Sequence, residues 1–73
     1  MRYAIVIEKA GANYSGYVPD LPGCVATGET AEAAERLLRD AIVLHLEGMM
    51  EDGHSAPHPS SKAGYIDVPV PGE

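Results

Sequence analysis

Aromatic and sulfur-containing residues are scarce in this 73-residue chain. It has no Trp, no Phe and a single cysteine, Cys24, so an internal disulfide is impossible and a thiolate zinc cluster is excluded. A chain of this length buries only about 60% of the surface that its unfolded form exposes. Small domains offset that deficit with disulfides, a metal or a second subunit. Because association with a second subunit is the remaining way to bury more surface, we expect a homodimer or a higher oligomer.

Basic residues and long apolar runs are also few. Five Lys and Arg residues stand against 11 Asp and Glu, for a net charge of −6. This charge disfavours direct binding to phosphate backbones, and it suits either solubility or a basic protein partner. No apolar run approaches the ~20 residues that span a bilayer, and no signal peptide is visible. With the lone thiol, these features predict a cytoplasmic protein.

The hydrophobic pattern predicts an α+β fold in the order β-β-β-α-β. Strands are expected near residues 2–8, 14–18, 24–27 and 64–70. The first has apolar residues on both sides, which predicts a central strand covered twice. Pro69 predicts that the last strand lies at an edge or ends there. The chain should form one domain over 1–73, a small two-layer sandwich with one helix on one sheet face.

One helix is predicted over residues 31–52, with Thr30 as its N-cap and Gly53 as its terminator. A Pro- and Ser-rich loop, 54–63, should follow it. The core-facing stripe is expected to comprise Ala34, Leu37, Leu38, Ala41, Ile42, Leu44, His45 and Met49.

The second half of this helix is apolar nearly all round, which is more than one sheet can cover. Val43, Leu46 and Met50 are therefore the candidate protein interface, with a more deeply packed helix as the alternative. The sheet face away from the helix also needs a cover. That face holds either Ala4 and Val6 or the set Tyr3, Ile5 and Ile7.

No catalytic, cofactor-binding or metal-binding residue is predicted, and the chain is not expected to be an enzyme. His54 and His58 lie in a loop that Pro57 keeps from being helical, so they do not form a helical zinc motif. Cys24 has no evident base nearby. Asp20 should bond a backbone N–H of its own turn. A residual Mg²⁺-dependent hydrolase that uses Asp20 stays as a minor hypothesis.

The segment G-Y-V-P-D-L-P-G-C, residues 16–24, resembles the signature of the HicB antitoxin-like family of type II toxin–antitoxin systems. The resemblance continues through 26–30 and 41–53 and into Pro57 and Pro59. It implies a truncated ribonuclease-H-like sheet, with the last strand beside the first and without nuclease activity. The family motif is expected to form an ordered turn of Pro19, Asp20, Leu21, Pro22 and Gly23.

The resemblance also implies a partner, a HicA-type toxin that is a small basic ribonuclease cleaving messenger RNA. Many family members carry a C-terminal DNA-binding segment. Only three residues follow Val70 here, so direct DNA binding is not expected. The leading hypothesis is a self-associating protein-binding module that neutralises such a toxin. The alternative is an orphan domain, structural or sensing a small molecule, with no toxin partner.

Overall fold

The computed structural model describes residues 1–72 and contains three strands and one helix. The strands are β1 (Val6–Ala10), β2 (Asn13–Tyr17) and β3 (Val25–Gly28), and the helix is α1 (Ala31–Glu51). The strands form an antiparallel sheet in the order β1-β2-β3, and α1 packs on one face of it. The predicted α+β class is confirmed. No helix within the described residues is long and apolar enough to cross a membrane.

The β1–β2 hairpin turns through two residues, because Ala10 pairs directly with Asn13. Gly11, the first residue of this turn, has a φ of +63°, which is typical of the type II′ turns that match the twist of hairpins. The register then aligns Val6, Tyr17 and Val25 side by side across the three strands.

Both ends of α1 are capped as the sequence predicts. The Thr30 side chain accepts a hydrogen bond from the Ala33 N–H at 3.0 Å. At the other end Gly53 has a φ of +80°, and the His54 N–H donates to the Met49 carbonyl at 2.8 Å. This left-handed glycine with its backward bond is a Schellman motif, which satisfies carbonyls that the helix leaves free.

The core lies between α1 and the sheet. Its buried side chains are Val18, Leu21, Cys24, Ala34 and Leu38. Partly buried side chains packed against it include Tyr3, Ile5, Ile7, Ala26, Ala41, Ile42 and Leu46. The helix therefore covers the side of the sheet that holds Tyr3, Ile5 and Ile7, and leaves the Ala4 and Val6 side open.

The prediction that the first strand is central was wrong. β1 begins only at Val6 and is an outer strand of the sheet. The physical reason is the register, since Val6 already pairs with the last residue of β2, Tyr17. Beyond Tyr17 the chain turns at Pro19, so residues 2–5 run past the end of β2.

The predicted fourth strand does not form within the described residues. Residues 64–70 have strand-like alternation, yet the structure assigns them no strand and all of them are exposed. An isolated extended segment has no backbone partner to hold it as a strand. The radius of gyration, 14.8 Å, exceeds the roughly 11 Å of a compact domain of this size. The C-terminal part therefore projects from the packed body.

Candidate protein interaction surface

The family motif folds as two consecutive β-turns. The Leu21 N–H donates to the Val18 carbonyl at 3.1 Å, and the Cys24 N–H donates to the Leu21 carbonyl at 3.1 Å. Pro19 and Pro22 each occupy the second position of a turn, where the fixed φ of proline is favourable. The local turn geometry thus explains why both positions are proline.

The second turn also requires its glycine. Gly23 has a φ of +84°, as expected at the third position of a type II turn. The two turns direct Leu21 and Cys24 into the core, where both are buried. Burial raises the pKa of the Cys24 thiol, which favours the neutral form over the nucleophilic thiolate. The motif is therefore an anchor of the fold, with Asp20 as its outward-facing group.

The Asp20 carboxylate accepts four hydrogen bonds from two serines about 40 residues away. The N–H groups of Ser60 and Ser61 donate at 2.9 and 3.0 Å, and their hydroxyls at 3.1 and 2.8 Å. These bonds, with the Ser61 N–H first, lower the pKa of Asp20 from 3.8 to about 2. Asp20 therefore holds the loop after α1 instead of capping its own turn, and the sequence contains no local signal for this pairing.

A second anchor holds the same loop nearer its start. The Tyr3 hydroxyl donates to the Pro57 carbonyl at 2.6 Å. Together with the Asp20 cluster, defined here as Asp20, Ser60 and Ser61, this bond places the loop 54–63 beside the N-terminal segment. Among residues 1–72, no three His, Cys, Asp or Glu side chains lie close enough together to hold a metal ion.

The outer face of α1 combines apolar and acidic side chains. It consists of exposed residues from the second half of the helix: Asp40, Val43, Leu44, Glu47, Met50 and Glu51. Residues 40–52 contain four carboxylates and no Lys or Arg. The negative end of the helix dipole lies at the same end of α1. This surface is therefore both apolar and strongly negative.

The three predicted interface residues are buried to different extents. Val43 and Met50 are exposed, whereas Leu46 packs partly against the core. Leu44, expected in the core-facing stripe, is exposed and belongs to the outer face. Leu37, also expected in that stripe, is exposed as well. The sequence pattern could not show which side of the apolar stripe faces solvent, because that depends on where α1 lies across the sheet.

The helix packs mainly on β3 and least on β1, so a groove remains between α1 and the N-terminal segment. The groove has a volume of about 510 Å³. Its lining includes the apolar residues Tyr3, Ile5 and Ile42, with Glu35 and Arg39 among its charged ones. The sequence did not identify this groove, because it results from the lateral placement of the helix.

Comparison with known proteins places this arrangement in a family. Residues 3–70 match the family model described as the HicB-like antitoxin of bacterial toxin–antitoxin systems. The N-terminal domain of Burkholderia pseudomallei antitoxin HicB superimposes with a TM-score of 0.71 at 37% identity, over 80% of this chain and 69% of that one.

Two curated proteins are similar to nearly the whole chain. "Antitoxin HicB 2" of Photorhabdus laumondii is 31% identical over 71 residues, 96% of this chain and 51% of that protein. An uncharacterized 14.9 kDa protein from the rep-hol intergenic region of Haemophilus phage HP1 is 41% identical over 69 residues, 94% of this chain and 52% of that protein. The chain thus spans about half the length of these relatives. By its motif, its fold and these similarities, the chain belongs to the HicB-like antitoxin family.

Proposed function

We propose that this chain neutralises a HicA-type toxin, a small basic ribonuclease, by covering its RNA-binding surface with the outer face of α1. The observation that carries the proposal is the composition of residues 40–52, with four carboxylates and no Lys or Arg. A ribonuclease surface that attracts RNA phosphates is positively charged. An antitoxin surface of opposite sign would speed association and favour the correct partner.

The apolar side chains on the same face would supply the contact area. Val43 and Met50 are exposed beside Glu47, and their removal from water on binding would provide the non-directional part of the affinity. Leu46 lies below them against the core, so its role in this proposal is to support the interface from beneath. Protein interfaces commonly combine an apolar centre with a polar rim.

Charge favours a basic partner over a second copy on this face. Two copies meeting through the outer face of α1 would bring the carboxylates of Asp40, Glu47 and Glu51 from both copies together, and like charges in an interface cost free energy. Self-association, if it occurs, therefore needs another surface. In this proposal the chain acts as one domain, in the cytoplasm, without catalysis or DNA binding of its own. The turn Pro19–Gly23 contributes by holding the fold.

The test uses a HicA-type toxin, to be sought as a small basic protein encoded beside the gene for this chain. The purified toxin is assayed for RNA cleavage with increasing amounts of this chain, in its parent form and as Glu47→Lys. We expect the parent to stop cleavage near equimolar amounts and Glu47→Lys to bind at least tenfold more weakly at low salt. Glu29→Lys, which makes the same charge change at an exposed site outside the outer face, serves as the matched control.

Two results would contradict the proposal. RNA cleavage that continues under a large excess of the parent chain would exclude neutralisation. Equal weakening by Glu47→Lys and Glu29→Lys would show that net charge matters and the outer face of α1 does not. A small molecule that raised the melting temperature, without any effect on the toxin, would instead favour a sensing domain.

A further inference from the structure

We infer that the groove between α1 and the N-terminal segment binds a small apolar monocarboxylate, a molecule with an aliphatic or aromatic body and one carboxylate group. The groove is lined by side chains of residues 1–5 and of the helical stretch 35–43. It shares only Val43 with the outer face of α1, so this inference does not depend on the proposed toxin binding.

The size of the groove suits a small molecule. Its volume is about 510 Å³, within the range of roughly 300–1,000 Å³ that is common for small-molecule sites. Its helical lining runs from Glu35 to Val43, a length of about 12 Å at ~1.5 Å per residue. An extended peptide would place only about three or four residues along that length, at ~3.3 Å per residue. A compact ligand therefore fills the groove better than a peptide segment does.

The floor of the groove is apolar. Leu38 is 0% exposed, and Tyr3, Ile5 and Ile42 are half-buried side chains that pack against the core. The Tyr3 hydroxyl already donates to the Pro57 carbonyl, so its single donor is not available to a ligand. Removal of a hydrocarbon body from water against these side chains would supply the non-directional part of the affinity.

Basic side chains are concentrated at the groove. Arg2 and Arg39, two of the five basic residues of the chain, line it and are exposed. The chain has 11 acidic residues, and among residues 1–72 Glu35 is the one that lines the groove. This distribution is the reverse of the acidic composition of the whole chain. Guanidinium groups bind carboxylates through paired, charge-assisted hydrogen bonds, so the groove favours an anion.

Glu35 limits the charge of that anion. Two guanidinium groups and one carboxylate leave one positive charge in excess at the groove, which a ligand with a single negative charge balances. A phosphate monoester, with a charge of about −1.5 to −2 at pH 7, would place additional negative charge beside Glu35. Because like charges close together cost free energy, a monocarboxylate fits the groove better than a phosphate ester does.

The test titrates the full chain with octanoate and with phenylacetate, which share a carboxylate and differ in the shape of the apolar body. Amide NMR spectra report both the affinity and the location of binding. We expect at least one of these acids to shift the amide signals of residues 2–5 and 35–43 more than any others. Octanol, which has an apolar body like that of octanoate and no charge, should bind about tenfold more weakly, as expected for the loss of a charged hydrogen bond.

Four variants separate the groove from the net charge of the chain. Arg39→Gln should weaken binding of the acid about tenfold. Arg36→Gln, which removes the same charge at an exposed position outside the groove, is the matched control and should leave binding nearly unchanged. Glu35→Gln should tighten binding, because it removes a like charge beside the ligand. Ile42→Trp should abolish binding by filling the groove without a change of charge, and helical circular dichroism confirms that each variant is folded.

The inference is overturned if neither acid shifts these signals at millimolar concentrations, or if octanol binds as tightly as octanoate. Equal effects of Arg39→Gln and Arg36→Gln would show that only net charge matters, which also contradicts it. If Glu35 and Arg39 merely pair with each other across one turn of α1, Glu35→Gln will not tighten binding and the groove is not an anion site. RNA cleavage by the toxin is assayed without any added acid, so failure of this inference is distinguishable from failure of the proposed function.

Discussion

Two regions of this molecule are held by different forces. Residues 6–53 are held by apolar burial between the sheet and α1, with buried side chains such as Leu21 and Leu38. Residues 54–72 contribute none of the buried core and are attached by hydrogen bonds from Tyr3 and Asp20. The first region contains the buried core, whereas the second leaves its apolar side chains in solvent. The two regions should therefore respond to different substitutions.

The largest expected effect is in the packed region. Leu38→Ala should lower the free energy of unfolding by about 2–5 kcal/mol, because Leu38 is 0% exposed and its truncation leaves a cavity. Leu44→Ala, on the exposed flank of the same helix, is the control and should change stability by less than about 0.5 kcal/mol. Urea unfolding followed by circular dichroism measures both. Similar losses in the two variants would mean that α1 is placed wrongly.

The contact between β3 and α1 gives the next effect. A Cβ at Gly28 would lie 2.5 Å from the Ala34 backbone nitrogen, so Gly28→Ala must push the helix away, at a cost of about 1–3 kcal/mol. Gly48→Ala, where a Cβ meets nothing within 4 Å, should stabilise α1 by about 0.5–1 kcal/mol. Urea unfolding measures both variants, and the free energy of unfolding should change in opposite directions in the two. Stabilisation by Gly28→Ala would contradict the close approach.

Removing a hydrogen bond that attaches residues 54–72 should lower the stability by a smaller amount. Tyr3→Phe removes the bond from the Tyr3 hydroxyl to Pro57 and should cost about 0.5–1.5 kcal/mol. Tyr65→Phe is the matched control, since Tyr65 is fully exposed, and it should have almost no effect. Amide hydrogen exchange should show faster exchange after residue 54 in Tyr3→Phe, with α1 unchanged. Uniform loss of protection across both regions would mean that they are not separate.

The smallest expected effect depends on pH. The folded pKa of Asp20, about 2, lies below its ordinary value of 3.8. The ionised carboxylate therefore stabilises the attachment above pH ~4, and this contribution is lost as the pH falls from about 4 towards 2. Asp20→Asn should melt slightly below the parent at pH 7, and the difference should narrow below pH 4. An NMR titration of the Asp20 carboxyl carbon with a midpoint near 4 would contradict the Asp20 cluster.

The features that could be predicted from sequence are those with a local cause. The helix ends follow from Thr30 and Gly53, and the family turn from its two prolines and Gly23, because capping and turn geometry involve only neighbouring residues. The exposed Val43 and Met50 were also predictable, since helical periodicity separates them from the core stripe.

The features that could not be predicted involve residues far apart in the chain. Asp20 bonds serines about 40 positions away, and the pattern around Asp20 gives no sign of this. Apolar residues on both sides of residues 2–8 predicted a central strand, but β1 begins only at Val6, which pairs with Tyr17, and it lies at an edge of the sheet. An apolar pattern indicates that one face of a segment is to be buried, but it does not specify which other segment buries it.

The sequence by itself determined the types of the first four elements, the capped helix, the double turn and the acidic composition of residues 40–52, because local backbone preferences and charge do not depend on distant contacts. Only the tertiary structure decided which face of the sheet α1 covers, where β1 begins, and that residues 64–70 remain unpaired. Those outcomes depend on strand register and on the lateral position of the helix, which are set by packing among residues that are remote in sequence.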